Sequence, residues 1–272
     1  MIVGIDVGAS TTKGVILEDS EIIYKYMLPT LDAAASTLKV MENLASKIQD
    51  RNAIGLVAVS GGGSRQVRDT LLGLPVVKVD EIRAVGLGGL FQVKKPKGLI
   101  VSIGTGTAMV AAYEQGVSVN HVGGTGVGGG TILGLSKRML GIYNFEALED
   151  MASQGDNSKV DLTVADIVGG PVGIIPAEAT ASNFGRLTGT VSKEDVAAGI
   201  FNMVSQVIGV LAAMAAKAYG LQDDVVLVGR LAKSTIVSEA ICKTTELFGV
   251  KATVPNDCEY CTAVGAARYA LL

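Results

Sequence analysis

The chain has no tryptophan, one histidine, three cysteines and six prolines in 272 residues. Seven tyrosines and five phenylalanines make up its 4% of aromatic residues. So sparse a set argues against stacking platforms for single-stranded nucleic acid and against aromatic cages for quaternary ammonium ligands. Cys242, Cys258 and Cys261 cannot all pair and are too few for a disulfide framework, so a reducing cytoplasm is the expected compartment. Cationic excess is also missing: 23 Lys and Arg stand against 26 Asp and Glu, a net charge of −3. Such a chain lacks the basic stripe that nucleic-acid phosphates require, and no nucleic-acid partner is expected. The opening MIVGIDVG has no basic segment followed by a long apolar run, so no signal peptide is expected. Ile200–Leu221 approaches membrane-spanning length, but Asn202, Ser205, Gln206 and Lys217 interrupt it; a helix buried between domains is expected, and no membrane association.

What the chain has in quantity is apolar residues, at 49%, and glycine, at 35 residues. The apolar share supports a sizeable core. The glycines are clustered, and the clusters follow short apolar runs. Residues 2–7, 13–17 and 22–27 read as three antiparallel strands, with a turn at Gly8-Ala9-Ser10. A helix over 31–48, begun near Asp32, a strand over 54–60, a helix over 64–72, a strand over 76–79 and a helix over 81–93 follow. Lys94-Lys95-Pro96-Lys97-Gly98 breaks the pattern and divides the chain into 1–97 and 98–272. The second half opens as the first does: an apolar run at 99–103, a turn at Gly104-Thr105-Gly106-Thr107, then strands over 108–113 and 117–122. Helices over 130–140, 145–154 and 193–220 come next, then a strand over 225–228, a helix over 234–248, a strand over 251–254 and a helix over 262–272. The pattern predicts an α/β chain built on a duplicated unit.

The turns carry the candidate chemistry. In Asp6-Val7-Gly8-Ala9-Ser10-Thr11-Thr12-Lys13, glycine permits a tight turn, small residues let backbone N–H groups approach an anion, and hydroxyls add donors. Asp6, at the end of a buried strand, needs a partner; hydrated Mg²⁺ and Lys13 are the two candidates. Gly104–Thr107 offers a similar turn, and two facing hairpins can grip one polyphosphate. The run Gly123–Gly130 contains G-x-G-x-x-G spacing, but a short polar strand of a meander precedes it, not a buried parallel strand, so a dinucleotide site is rejected. A helix N-terminus receiving an anion is expected there instead. Asp80-Glu81 opens a helix after a strand; it reads as ordinary first-turn acids or as a general base. Cys258-Glu259-Tyr260-Cys261 is a lone C-x-x-C without the further ligands of a metal centre and is read as structural. His121, beside the glycine run, is a candidate substrate contact.

Together these segments resemble the actin, sugar kinase and Hsp70 superfamily, and within it the type II pantothenate kinases. The resemblance runs through GIDVGASTTKG (4–14), VDEIRAVGLGGL (79–90), VSIGTGTAMV (101–110), VGGTGVGGGTILGL (122–135), FEALEDMASQGD (145–156), ATASNFG (179–185) and CTAVGAARY (261–269). It implies a duplicated, ribonuclease H-like, two-lobed fold with mixed sheets flanked by helices. It implies ATP and Mg²⁺, with Asp6, Val7, Gly8, Ala9, Ser10, Thr11, Thr12 and Lys13 as the first phosphate loop and Asp6 reaching the metal through water. Thr105, Gly129, Gly130, Thr131, Ile132, Leu133, Phe145, Gly229 and Arg230 fall where the family contacts the nucleotide. Glu81 matches the catalytic base. Glu81, Thr105, His121 and Gly123 fall at the acceptor. His121 stands where the family has arginine, and imidazole cannot make the bidentate carboxylate contact that a guanidinium makes. The resemblance further implies a homodimer, with coenzyme A or acyl-CoA as inhibitors and pantothenate or a related hydroxy acid as acceptor. Two alternatives share the fold: an ATPase activator of a 2-hydroxyacyl-CoA dehydratase, and a non-catalytic nucleotide or coenzyme A sensor. The cysteine-rich zinc motif of ROK sugar kinases is absent.

Overall fold

The computed structural model describes residues 1–19 and 21–272, the side chain of Arg51 excepted. The first half forms β1 (Ile2–Val7), β2 (Thr11–Glu18), β3 (Glu21–Pro29), α1 (Ala33–Ala45), β4 (Leu56–Ser60), β5 (Thr70–Leu71), β6 (Leu74–Lys78) and α2 (Glu81–Val93). The second forms β7 (Gly98–Ile103), β8 (Thr107–Tyr113), β9 (Ser118–Thr125), α3 (Gly129–Leu140), α4 (Phe145–Gln154), β10 (Leu162–Thr163), α5 (Val164–Val168), β11 (Thr180–Ser182), α6 (Lys193–Ala218), β12 (Val225–Val228), α7 (Thr235–Leu247), β13 (Ala252–Thr253) and α8 (Cys261–Tyr269).

The duplication holds at the level of topology. The first sheet runs β3-β2-β1-β4-β6-β5 and the second β13-β12-β7-β8-β9. In each, a three-strand antiparallel meander is extended by strands that pair parallel to its first member: β4 on β1, β12 on β7. Alternation along the central strands sorts the faces. Val3, Ile5 and Val7 pack with Val40, Met41 and Leu44 of α1. Leu99, Val101 and Ile103 pack with Ile200, Phe201 and Val204 of α6. The opposite faces look inward, where α2 and α8 lie between the sheets: Val85 and Leu90 meet Ile100 and Val110, and Ala263 and Ala267 meet Val15 and Leu17. Helix α8 thus packs on β1, β2 and β4 of the first sheet, although the division at residue 97 places it in the second half of the chain.

The long apolar helix is buried, as expected, but not between the lobes. Helix α6 is long and apolar enough to cross a membrane by length and composition, yet most of its apolar window is buried. It covers the outer face of the second sheet, because the interlobe layer is filled by α2 and α8, which approach through Gly88 and Gly265. The expected helix over 64–72 is replaced by a single 3-10 turn at Ser64–Gln66 and the hairpin β5–β6. Leu72 and Gly73 form its two-residue turn with φ of 51° and 82°, a left-handed pair that a helix cannot contain. Strand β9 runs on into the glycine run, with Ala108 opposite Gly124, since a side chain at Gly124 would stand 2.3 Å from the Thr107 carbonyl oxygen.

Candidate active site

The C-terminal ends of β1, β4 and β7 meet above α2, and the loops leaving them enclose a cleft of about 590 Å³. That is within the range of small-molecule sites. Asp6 lies opposite Lys13 in the β1–β2 register, so the two side chains share a face, and Lys13 Nζ is 3.3 Å from Asp6 Oδ2. Both side chains are about nine-tenths buried. Parallel pairing brings Ser60 beside Asp6, and the Ser60 hydroxyl is buried without a partner. The next residue, Gly61, has φ 87°, and a Cβ there would lie 2.6 Å from Asp6 Oδ1. Glycine therefore keeps the space around the free carboxylate oxygen clear.

Helix α2 delivers Glu81. Asp80 caps the helix by accepting from the Arg83 N–H at 3.1 Å, which leaves Glu81 in the first turn facing the cleft. Glu81 is accessible, but the cleft walls strip part of its hydration. Its pKa is raised from 4.5 by that desolvation first, then by the negative charges of Asp6 and Asp80, with Lys13 opposing. The acid at this position is thereby shifted toward a working general base.

The second turn closes differently from the expectation. The N–H of Gly129 donates to the Gly104 carbonyl and that of Gly130 to the Thr105 carbonyl, each at 2.9 Å. The first N–H groups of α3 are thus bound to the second hairpin turn, not presented to an anion. The glycine run is a docking joint: a Cβ at Gly128 would meet the Thr105 carbonyl oxygen at 2.7 Å, and one at Gly130 the Thr105 methyl at the same distance. Gly229, with φ 95°, serves a similar close approach to Ile103. Arg230 then reaches across the mouth, Nη1 to Thr11 Oγ1 at 3.3 Å and Nη2 to Glu146 Oε1 at 3.4 Å.

Of the residues expected from the sequence, Asp6, Gly8, Ala9, Ser10, Thr11, Lys13, Glu81, Thr105, Gly129, Gly130, Leu133, Phe145, Gly229 and Arg230 line this one cleft. Val7, Thr12 and Ile132 do not; each is fully buried, Thr12 with its hydroxyl 2.8 Å from that of Thr30. Thr131 is occupied as a cap, accepting from the Gly128 N–H. His121 and Gly123 also lie outside the lining. A bulge at Val122 separates them, and His121 shares with Val119 the face of β9 that carries α2, one pleat nearer the cleft. Gly62, Ser102, Tyr143, Leu231 and Thr262 line the cleft and were not singled out. Ser102 had a signal, since it holds on β7 the place of Asp6 on β1. Cys258 and Cys261 face inward, donating toward the carbonyls of Gly229 and Val85, and burial pushes the Cys258 thiol up to about 11.

Residues 94–268 match the Fumble family. A type II pantothenate kinase of Bacillus anthracis is 30% identical over 98% of this chain and 97% of its own. The chain belongs to the type II pantothenate kinase family. As a member of that family it is an ATP-dependent kinase. The fold of this kinase is shared more widely. The activator of 2-hydroxyisocaproyl-CoA dehydratase from Clostridium difficile, solved with ADPNP, superposes with TM-score 0.71 at 21% identity, covering 99% of this chain and 93% of that one. A ROK hexokinase from Thermus thermophilus gives 0.61 at 12% identity, covering 98% and 97%. These two likenesses speak to the two-lobed fold alone.

Proposed function

We propose that the chain transfers the γ-phosphoryl group of ATP to the primary hydroxyl of pantothenate, yielding 4′-phosphopantothenate at the first step of coenzyme A synthesis. The observation that carries this reading is the convergence of Asp6, Lys13 and Glu81, from β1, β2 and α2, on one cleft walled by both hairpin turns. The small residues Gly8, Ala9 and Ser10 let backbone approach the phosphates. Lys13 sets a positive charge against them. The carboxylate of Asp6 fits a hydrated Mg²⁺: one oxygen faces Lys13, and the glycine at 61 leaves the other room for an ordered water. Mg²⁺ when bound neutralises charge on the phosphate oxygens. Glu81 accepts the proton of the attacking hydroxyl, and its raised pKa makes it the stronger base for that task.

His121 and Gly123 are assigned to the acceptor, beyond the cleft, His121 on the α2 face of β9 and Gly123 opposite Met109 on the other face, with imidazole in place of the family arginine. The lobes close over the substrates to exclude water. The protein is taken to be a cytoplasmic homodimer, with coenzyme A or an acyl-CoA as product-type inhibitor. The apolar side chains of Ile167, Val168, Val172 and Ile174, each more than half exposed, support an association surface on the 164–182 excursion.

The test is product mass. Pure protein with MgATP and pantothenate should give a product heavier by one phosphoryl group, absent without acceptor and abolished by EDTA. ATP binding with no phosphorylated pantothenate would reject this acceptor.

A further inference from the structure

The inward face of the first sheet ends, toward the cleft, in a row of three polar side chains on adjacent strands. Asp6 of β1 stands opposite Lys13 of β2 on one side and beside Ser60 of β4 on the other. One pleat behind them the same face holds Gly4 and Ala58, which meet Ala263 and Ala266 of α8. Lys13 Nζ donates to Asp6 Oδ2 at 3.3 Å. Ser60 is fully buried, and its hydroxyl has no hydrogen-bond partner among the described residues. On its far side the chain passes Val79, whose N–H donates to the Val59 carbonyl at 2.8 Å and whose side chain is apolar and buried. Asp6 is therefore the polar side chain beside Ser60 in this row.

An orphaned hydroxyl at this depth is costly, and the strand takes alanine on the same face two residues earlier, at Ala58. The hydroxyl is closed to solvent, so a partner for it must come from the protein. Asp6 and Lys13 line the cleft and Ser60 does not, so Ser60 acts on a ligand only through them. The state of that pair determines when Ser60 is needed. Both side chains are about nine-tenths buried, and each charge depends on the other. A triphosphate brings several negative charges against the one carboxylate that now holds the Lys13 ammonium. As Lys13 turns to the phosphates, Asp6 loses a donor while still buried, and a buried carboxylate without a donor is strongly unfavourable.

We propose that Ser60 is a positioning residue for Asp6, donating to its carboxylate when Lys13 leaves for the phosphates. The inference rests on the reading of Lys13 as a phosphate contact. Lys13 and Ser60 then serve Asp6 in turn, from the two strands that flank it. A small rotation of the Asp6 side chain makes the exchange, since neighbours on one face of a sheet stand side by side. Gly61 leaves room for that rotation, because a Cβ there would lie 2.6 Å from Asp6 Oδ1. The exchange keeps the carboxylate ordered in the nucleotide-bound protein, with one oxygen turned to the cleft.

The experiment measures Tm and MgATP binding for wild type and Ser60→Ala, and repeats the pair of Tm values in a Lys13→Met background. Without nucleotide, Ser60→Ala should melt no lower than wild type, because no hydrogen bond is lost. The same variant should bind MgATP roughly tenfold more weakly, in keeping with the loss of one hydrogen bond to a carboxylate, and should gain fewer degrees than wild type at saturating MgATP. In Lys13→Met, Asp6 has no ammonium even without nucleotide, so Ser60 should already be bonded to it. Ser60→Ala should there lower Tm by a few degrees. A serine with a merely structural role would not show this change of sign between backgrounds. An equal drop in Tm in both backgrounds, or an unchanged MgATP affinity in Ser60→Ala, would overturn the assignment. Should Lys13→Met fail to fold, the Ser60→Ala melts with and without MgATP decide alone, and equal shifts from wild type in the two conditions would overturn it. Failure of the wild type itself to bind MgATP would remove the phosphate reading of Lys13, a result distinct from a wild type that binds and a variant that binds equally well.

Discussion

Glu81 sits beside two other carboxylates, and the same surroundings that raise its pKa make its charged form unfavourable in the folded state. The sign follows from proton linkage: a carboxylate whose folded pKa is raised holds more protons when folded, so its ionisation weakens the fold as pH rises from the ordinary value of 4.5 through the raised one. Glu81→Gln should therefore melt at a slightly higher temperature than wild type at neutral pH, with the difference vanishing below the ordinary glutamate range. The same variant should retain ATP binding and lose turnover by about 10²–10⁴-fold. Calorimetric melting across pH, beside steady-state rates, checks both; unchanged turnover would remove Glu81 as the base. The candidate roles of Asp6, Lys13 and Glu81 were legible because their chemistry is rare at strand ends and helix starts. Tyr143 and Ser102 were not, because a tyrosine in a connector and a serine in a strand are ordinary until the neighbouring elements are placed.

At the scale of elements, glycine decides where segments approach. Helices α2 and α8 cross through Gly88 and Gly265; a Cβ at Gly265 would stand 1.7 Å from the Ala84 carbonyl oxygen, and one at Gly88 2.0 Å from that of Cys261. Gly265→Ala should cost about 2 kcal/mol or more in urea unfolding, as overpacking of a fitted contact does, and should depress turnover because α2 carries Glu81. Elsewhere the chain is less well matched to its backbone. Leu72 holds a left-handed φ of 51° in the β5–β6 turn and is 45% exposed. Leu72→Asn should stabilise by about 1 kcal/mol, raising Tm by a few degrees, because asparagine tolerates that conformation and leucine does not. A lower Tm would mean that Leu72 contributes packing not apparent from its exposure. This turn is also where the sequence reading went astray: apolar spacing over 64–72 suits a helix, whereas Leu72-Gly73 adopts the hairpin turn that pairs Leu71 with Leu74. The end of β9 misled for a related reason, since a glycine run reads as loop until a facing strand excludes side chains.

For the whole molecule, the arrangement is layered: α1, the first sheet, the α2–α8 pair, the second sheet, then α6 with α3, α4 and α7. The lobes share the middle layer, so a shift of one sheet against the other must pass through α2 and α8, whose small residues permit close sliding contact. The proposed dimer belongs to this scale. Light scattering on the purified protein should give the mass of two chains, and the paired change Val172→Asp with Ile174→Asp should reduce it to one while leaving the circular dichroism spectrum intact. A mass of one chain for the unaltered protein would reject the dimer.

Local sequence was enough for the duplicated strand–turn–strand pattern, the two phosphate-type turns and the acid at the start of α2, because these depend on local periodicity, on small residues at turns and on the preference of acids for helix N-termini. Long-range packing was needed to show that α8 returns to the first lobe, that the N–H groups of α3 are bound to the second turn, and that Tyr143 and Ser102 line the cleft. Those outcomes depend on which distant backbone atoms come within hydrogen-bonding or van der Waals distance, and a one-dimensional pattern does not carry that information.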